Sequence, residues 1–62
     1  MISGRTTVFT IIAHPAAHVM APTIYNRLFE RLGLDMVYIA HAVPTAAVGQ
    51  TMQAYRAWEN LG

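Results

Sequence analysis

The chain has 62 residues, with four arginines, no lysine, three acids and a formal net charge of +1; 55% of it is apolar and only 11% charged. A domain this small buries only about 60% of the surface that its unfolded chain exposes, so this composition points to a piece of a larger unit or to a face that meets a partner. The absence of cysteine excludes disulfides and zinc–thiolate sites, and the scattered Arg5, Arg27, Arg31 and Arg56 argue against a nucleic-acid partner, which needs clustered cations.

Thr6 to Ala13 is β-branched and aromatic and lies between Gly4 and Pro15, which predicts a strand over 6–13. Its latter part is a continuous apolar run, the pattern of a strand covered on both faces. His14 to Ala21 has no regular period, and Pro15 disfavours helix at His14, so a loop follows. Pro22 stands where its fixed φ can open a helix. Ile24, Tyr25, Leu28, Phe29 and Leu32 then recur at helical spacing, with Arg27, Glu30 and Arg31 on the other side. The predicted helix spans 22–32 and ends at Gly33 in the left-handed conformation. Ala21 takes the N-cap position without a side-chain oxygen, so a stabilisation of about 1 kcal/mol is missing there. Met36 to Val43 predicts a second strand over 36–43, ended by Pro44. Thr45 is the expected N-cap of a second helix over 46–60, with Val48, Met52, Tyr55 and Leu61 on one face.

The order β-α-β-α predicts an α/β fold in which a right-handed crossover makes the two strands parallel neighbours. Two parallel strands are not a stable sheet by themselves. The expectation is therefore a βαβα fragment completed by self-association or by further chain. The longest stretch without a charge, 36–55, contains His41, Gln50 and Gln53 and breaks at Pro44, so it is no membrane span. The N-terminus shows no signal-peptide pattern. A soluble, cytoplasmic protein is expected, with no membrane partner.

In parallel sheets ligands bind at the carboxyl ends of the strands. The loop from His14 to Pro22 leaves the first strand at that edge and feeds a helix N-terminus, whose free amides suit an anion such as a carboxylate. His41 to Thr45 leaves the second strand at the same edge. His14, His18 and His41 do not predict a metal site: Pro15 prevents the helix that would align the first two. His41 shares a strand face with Val37, Ile39 and Val43 and reads as a hydrogen-bonded core histidine. Tyr25 and Tyr55 fall on apolar helix stripes and read as packing groups with the hydroxyl at the rim. Glu30, Asp35 and Glu59 form no pair for acid–base work, and Ser3 is the only serine, so no catalytic constellation is expected in this chain.

Residues Ile12 to Asn26 resemble the signature of the shikimate dehydrogenase substrate-binding domain, which runs roughly Gly-x-Pro-x-x-His-Ser-x-Ser-Pro-x-x-His-Asn. Pro15, His18, Pro22 and Asn26 match it. Phe29 to Tyr38 and the Val43–Pro44 step are similar to the stretches that follow in that family. The resemblance implies an incomplete three-layer sandwich, with a small carboxylate substrate held by His18, Val19, Ala21, Pro22 and Asn26. The family's two serines hydrogen-bond the carboxylate of shikimate; Val19 and Ala21 stand in their places. The implied activity is reversible, NADP-dependent hydride transfer between 3-dehydroshikimate and shikimate, or a related hydroxy acid, in aromatic amino acid biosynthesis. The family's catalytic Lys and Asp and its nucleotide-binding domain would lie beyond Gly62, so the chain alone is expected to be inactive and to bind no cofactor and no metal. Its expected partners are the remainder of a parent chain or further copies of itself. The alternative is a non-catalytic, self-associating or protein-binding βαβα module, suggested by open sheet edges and high apolar content.

Overall fold

A computed structural model describes residues 1–62, with the order β1 (Thr7–Ala13), α1 (Ala21–Leu32), β2 (Met36–Ala42) and α2 (Val48–Arg56); a 3-10 turn at Thr45–Ala47 precedes α2. The strands pair in parallel, in a register that sets Phe9 beside Tyr38 and Ile12 beside His41. Side chains alternate along a strand, so Phe9 and Tyr38 share the face under α1. There Phe9 meets Phe29 at 5.8 Å between ring centroids, and Tyr38 stacks on Tyr25 at 5.1 Å. The opposite face carries His41, whose Nδ1 lies 2.6 Å from the Tyr55 hydroxyl of α2. The two helices therefore lie on opposite faces of the sheet, in an α/β/α arrangement.

Residues 60–62 lie along the other side of β1. The Val8 N–H donates to the Asn60 carbonyl at 2.8 Å, and the Gly62 N–H donates to the Val8 carbonyl at 2.7 Å, which sets Leu61 parallel to Val8. β1 is thus the middle strand, with β2 on one side and Leu61 on the other. A Cβ at Gly62 would lie 2.5 Å from the Phe9 ring, so glycine lets the backbone pass close over it.

This return path corrects the helix expected over 46–60. α2 stops at Arg56, and Thr45 is the first residue of the 3-10 turn rather than a capping residue; the cap is Pro44, with extended backbone. Beyond Arg56 the Ala57 and Trp58 N–H groups donate three residues back, in tight turns, and from Asn60 on bonds to β1 take over. The Asn60 carbonyl accepts from Val8, and its Nδ2 donates to the Thr6 carbonyl at 2.9 Å. Leu61 pairs with the strand instead of continuing the helical face.

The other ends shift by a residue. α1 begins at Ala21 with Met20 as its N-cap and no side-chain cap, and Gly33 closes it at φ 66° with its N–H on the Glu30 carbonyl. Thr6 precedes β1 as a buried anchor: its hydroxyl donates to Asp35 Oδ1 at 2.6 Å and accepts from the Ser3 N–H at 2.8 Å. The Val43 N–H adds a last rung to the Ala13 carbonyl at 3.2 Å.

Only Thr6 and Val43 are fully buried. The apolar stripe of α1 is split: Phe29 packs towards the sheet, whereas Ile24, Leu28 and Leu32, one turn apart, stay 59%, 44% and 62% exposed. The helix is rolled so that Tyr25, Asn26 and Phe29 reach the strands. His41 is likewise exposed rather than in a core, with its Nδ1 against the Tyr55 hydroxyl of α2. No helix is long and apolar enough to cross a membrane.

Candidate functional site

The connection from β1 to α1, residues 14–20, emerges at the carboxyl end of β1, beside the end of β2. Its His14–Pro15 peptide is cis, and the Val19 N–H donates to the Ala16 carbonyl at 3.1 Å, which folds 16–19 into a turn. His14, His18 and Met20 are exposed, while Val19, Ala21 and Pro22 are half-buried at the foot of the loop.

A helix start has orphan N–H groups, and here their fate can be followed individually. Pro22 has none, and the Ile24 N–H donates to the Met20 carbonyl at 3.2 Å. The N–H groups of Ala21 and Thr23 have no partner in the protein, and neither a side-chain cap nor an acid stands in the first turn. Two free donors and the positive end of the helix dipole therefore face the segment where Val19 and Ala21 lie. A small anion can be held there by backbone alone. The Val19 and Ala21 side chains add no hydrogen bond to it.

Asn26 is engaged elsewhere. Its Oδ1 accepts from the Tyr38 N–H and its Nδ2 donates to the Tyr38 carbonyl, both at 2.7 Å. The motif asparagine thus ties α1 to β2 in place of pointing an unpaired amide at the loop. The signal for this contact was in the sequence: a polar residue between Tyr25 and Phe29 on the sheet-facing side of a helix needs a polar partner. The Thr6–Asp35 bond had no comparable signal, since its partners are brought together only by the crossover.

His14, His18 and His41 do not converge with one another or with an acid into a group that could hold a metal ion. The main surface hollow, about 360 Å³, lies away from the strand carboxyl ends, between Met1, Ile2, Glu30, Leu34 and Asp35. It is an open trough at the start of β2, and its polar side chains, Asn26, Glu30 and Asp35, include no basic group to receive a carboxylate.

Residues 11–62 match the family described as the shikimate dehydrogenase substrate binding domain. The chain is 39% identical over 61 residues to the NADP(+) shikimate dehydrogenase of Listeria monocytogenes, covering 98% of this chain and 21% of that protein. It is 37% identical over 57 residues to the corresponding enzyme of Anaeromyxobacter dehalogenans, covering 92% of this chain and 20% of that one. The chain spans about a fifth of the length of these curated relatives. Among solved structures, the Listeria monocytogenes shikimate 5-dehydrogenase in complex with shikimate and NAD superposes with a TM-score of 0.86 at 35% identity, over 98% of this chain and 22% of that one. The Aquifex aeolicus shikimate dehydrogenase gives the same TM-score of 0.86 at 25% identity, over 95% and 22% of the two chains. With most of its length matched and its α/β/α order shared, the chain belongs to the shikimate dehydrogenase substrate-binding domain family.

Proposed function

We propose that this chain forms the front of the substrate-binding domain of an NADP-dependent oxidoreductase acting on shikimate or a related hydroxy acid, and that the 14–22 segment holds the substrate carboxylate. The observation that carries the reading is the pair of unpartnered N–H groups, Ala21 and Thr23, at the start of α1. They lie within the motif segment of a chain that belongs to this family. His18 flanks the site, Val19 and Ala21 form its apolar floor, and Pro22 fixes the helix start without consuming a donor. Asn26 contributes indirectly, by holding α1 on β2.

The chain's own residues do not fit the dinucleotide. Such cofactors need a glycine-rich turn between a strand and a helix, so that the backbone can approach the pyrophosphate. The β1–α1 connection has no glycine, and Gly4, Gly33, Gly49 and Gly62 are far apart. The residues that bind NADP and transfer the proton therefore belong to another part of the enzyme. This chain orients substrate, and it contains no nucleophile–base pair with which to do more.

The test is a direct comparison of binding and turnover by the 62-residue chain. It should bind shikimate weakly through the loop, seen as amide shifts confined to residues 18–24 in an NMR titration. It should show no NADP-dependent oxidation of shikimate. Shifts elsewhere, or turnover by the isolated chain, would overturn the assignment.

A further inference from the structure

The two outer edges of the sheet are treated differently, and Asn26 makes the difference. In a parallel ladder alternate residues turn their peptide groups to opposite sides. The Thr7 N–H donates to Asp35 and the Val43 N–H donates to Ala13, so odd-numbered residues of β2 bond to β1. Met36, Tyr38, Ala40 and Ala42 therefore present their N–H and C=O groups to the free edge. At the middle of that edge, the Asn26 carboxamide accepts from Tyr38 and donates to it at 2.7 Å each. A carboxamide has the same donor and acceptor as a peptide group. It satisfies Tyr38 as a neighbouring strand would, and it comes from a helix that already crosses over the sheet. At β1, by contrast, the outer edge accepts real backbone, from residues 60–62.

We infer that Asn26 is a one-residue substitute for a strand, closing the β2 edge to strand addition so that the sheet extends only along β1. An unprotected parallel edge is a template for pairing with another chain, and β2 itself carries no Asp, Glu, Lys, Arg or Pro along its length to discourage that. The carboxamide fills the central rung, and an incoming strand would have to displace both of its hydrogen bonds. This role goes beyond substrate recognition and does not depend on it.

Amide hydrogen exchange of the 62-residue chain tests the inference, with Ala40 as an internal control on the same edge. In the unsubstituted protein the Tyr38 amide should exchange at least tenfold more slowly than the Ala40 amide. In Asn26→Ala the two should exchange alike at low concentration. At higher concentration sedimentation should reveal a larger species in which both become protected. Asn26→Asp keeps the acceptor for the Tyr38 N–H and loses the donor, so Tyr38 should stay protected while its carbonyl is left unpaired. Equal exchange of Tyr38 and Ala40 in the unsubstituted chain would overturn the inference. So would a Tyr38 amide that stays protected in monomeric Asn26→Ala. If Asn26→Ala unfolds, the comparison within the unsubstituted chain and Asn26→Asp still decides.

Discussion

The sharpest consequence of the site geometry concerns the two positions where the family's serines are missing. Val19 and Ala21 flank the free N–H groups of Ala21 and Thr23, and both side chains are half-buried at the foot of the loop. Replacing both by serine adds two hydroxyl donors without changing the backbone donors already there. A hydrogen bond to a charged partner contributes about 1.5–3 kcal/mol when shielded from water. His18 and Met20 beside these positions are exposed, so the lower end applies. Near 1.4 kcal/mol per bond corresponds to about tenfold in affinity. The neighbouring hydroxyls would share one carboxylate and would not add fully. Val19→Ser with Ala21→Ser should therefore tighten shikimate by roughly thirty- to a hundredfold. Isothermal titration reads this, with the methyl ester of shikimate as a control that cannot accept as an anion. Unchanged shikimate affinity in a folded double variant would refute the placement of the carboxylate, as would an equal gain for the ester.

Further outcomes follow from local geometry. Gly33 sits at φ 66° and Gly49 lies inside α2 with nothing within 4 Å of a Cβ, so the same substitution has opposite signs at the two. Gly33→Ala should lower stability by about 1–2 kcal/mol, and Gly49→Ala should raise it by about 0.5–1 kcal/mol; urea midpoints compare them. Thr6→Val removes the hydroxyl that bonds Asp35 and Ser3 from a nearly fully buried position and should cost about 1–2 kcal/mol. Thr6→Ser should recover most of that in thermal unfolding. Tyr55→Phe breaks an exposed contact with His41 and should change stability by no more than about 0.5 kcal/mol. A larger loss would mean that α2 depends on that contact.

The local pattern was enough to determine the parallel pair, the crossover helix and its glycine stop. Each rests on neighbouring residues: the β-branched runs of β1 and β2, the period of Ile24 to Leu32, and the backbone freedom of Gly33. The motif segment was legible for the same reason, since Pro15, His18, Pro22 and Asn26 carry it in one stretch of chain. The family resemblance read from those residues agrees with the match over 11–62.

Tertiary structure decided what depends on partners distant in sequence. The helix expected over 46–60 ends at Arg56 because Asn60 and Gly62 find better backbone partners on β1, more than 50 residues away. Asn26 stands in the binding motif, but the crossover sets it opposite Tyr38, and its carboxamide satisfies the strand there. The loop likewise changed in meaning once its amides could be traced. The sequence showed that its side chains at Val19 and Ala21 have nothing to donate. Only the folded helix start showed that two backbone N–H groups remain free to do so, because one potential donor is lost at Pro22 and another is used at Ile24.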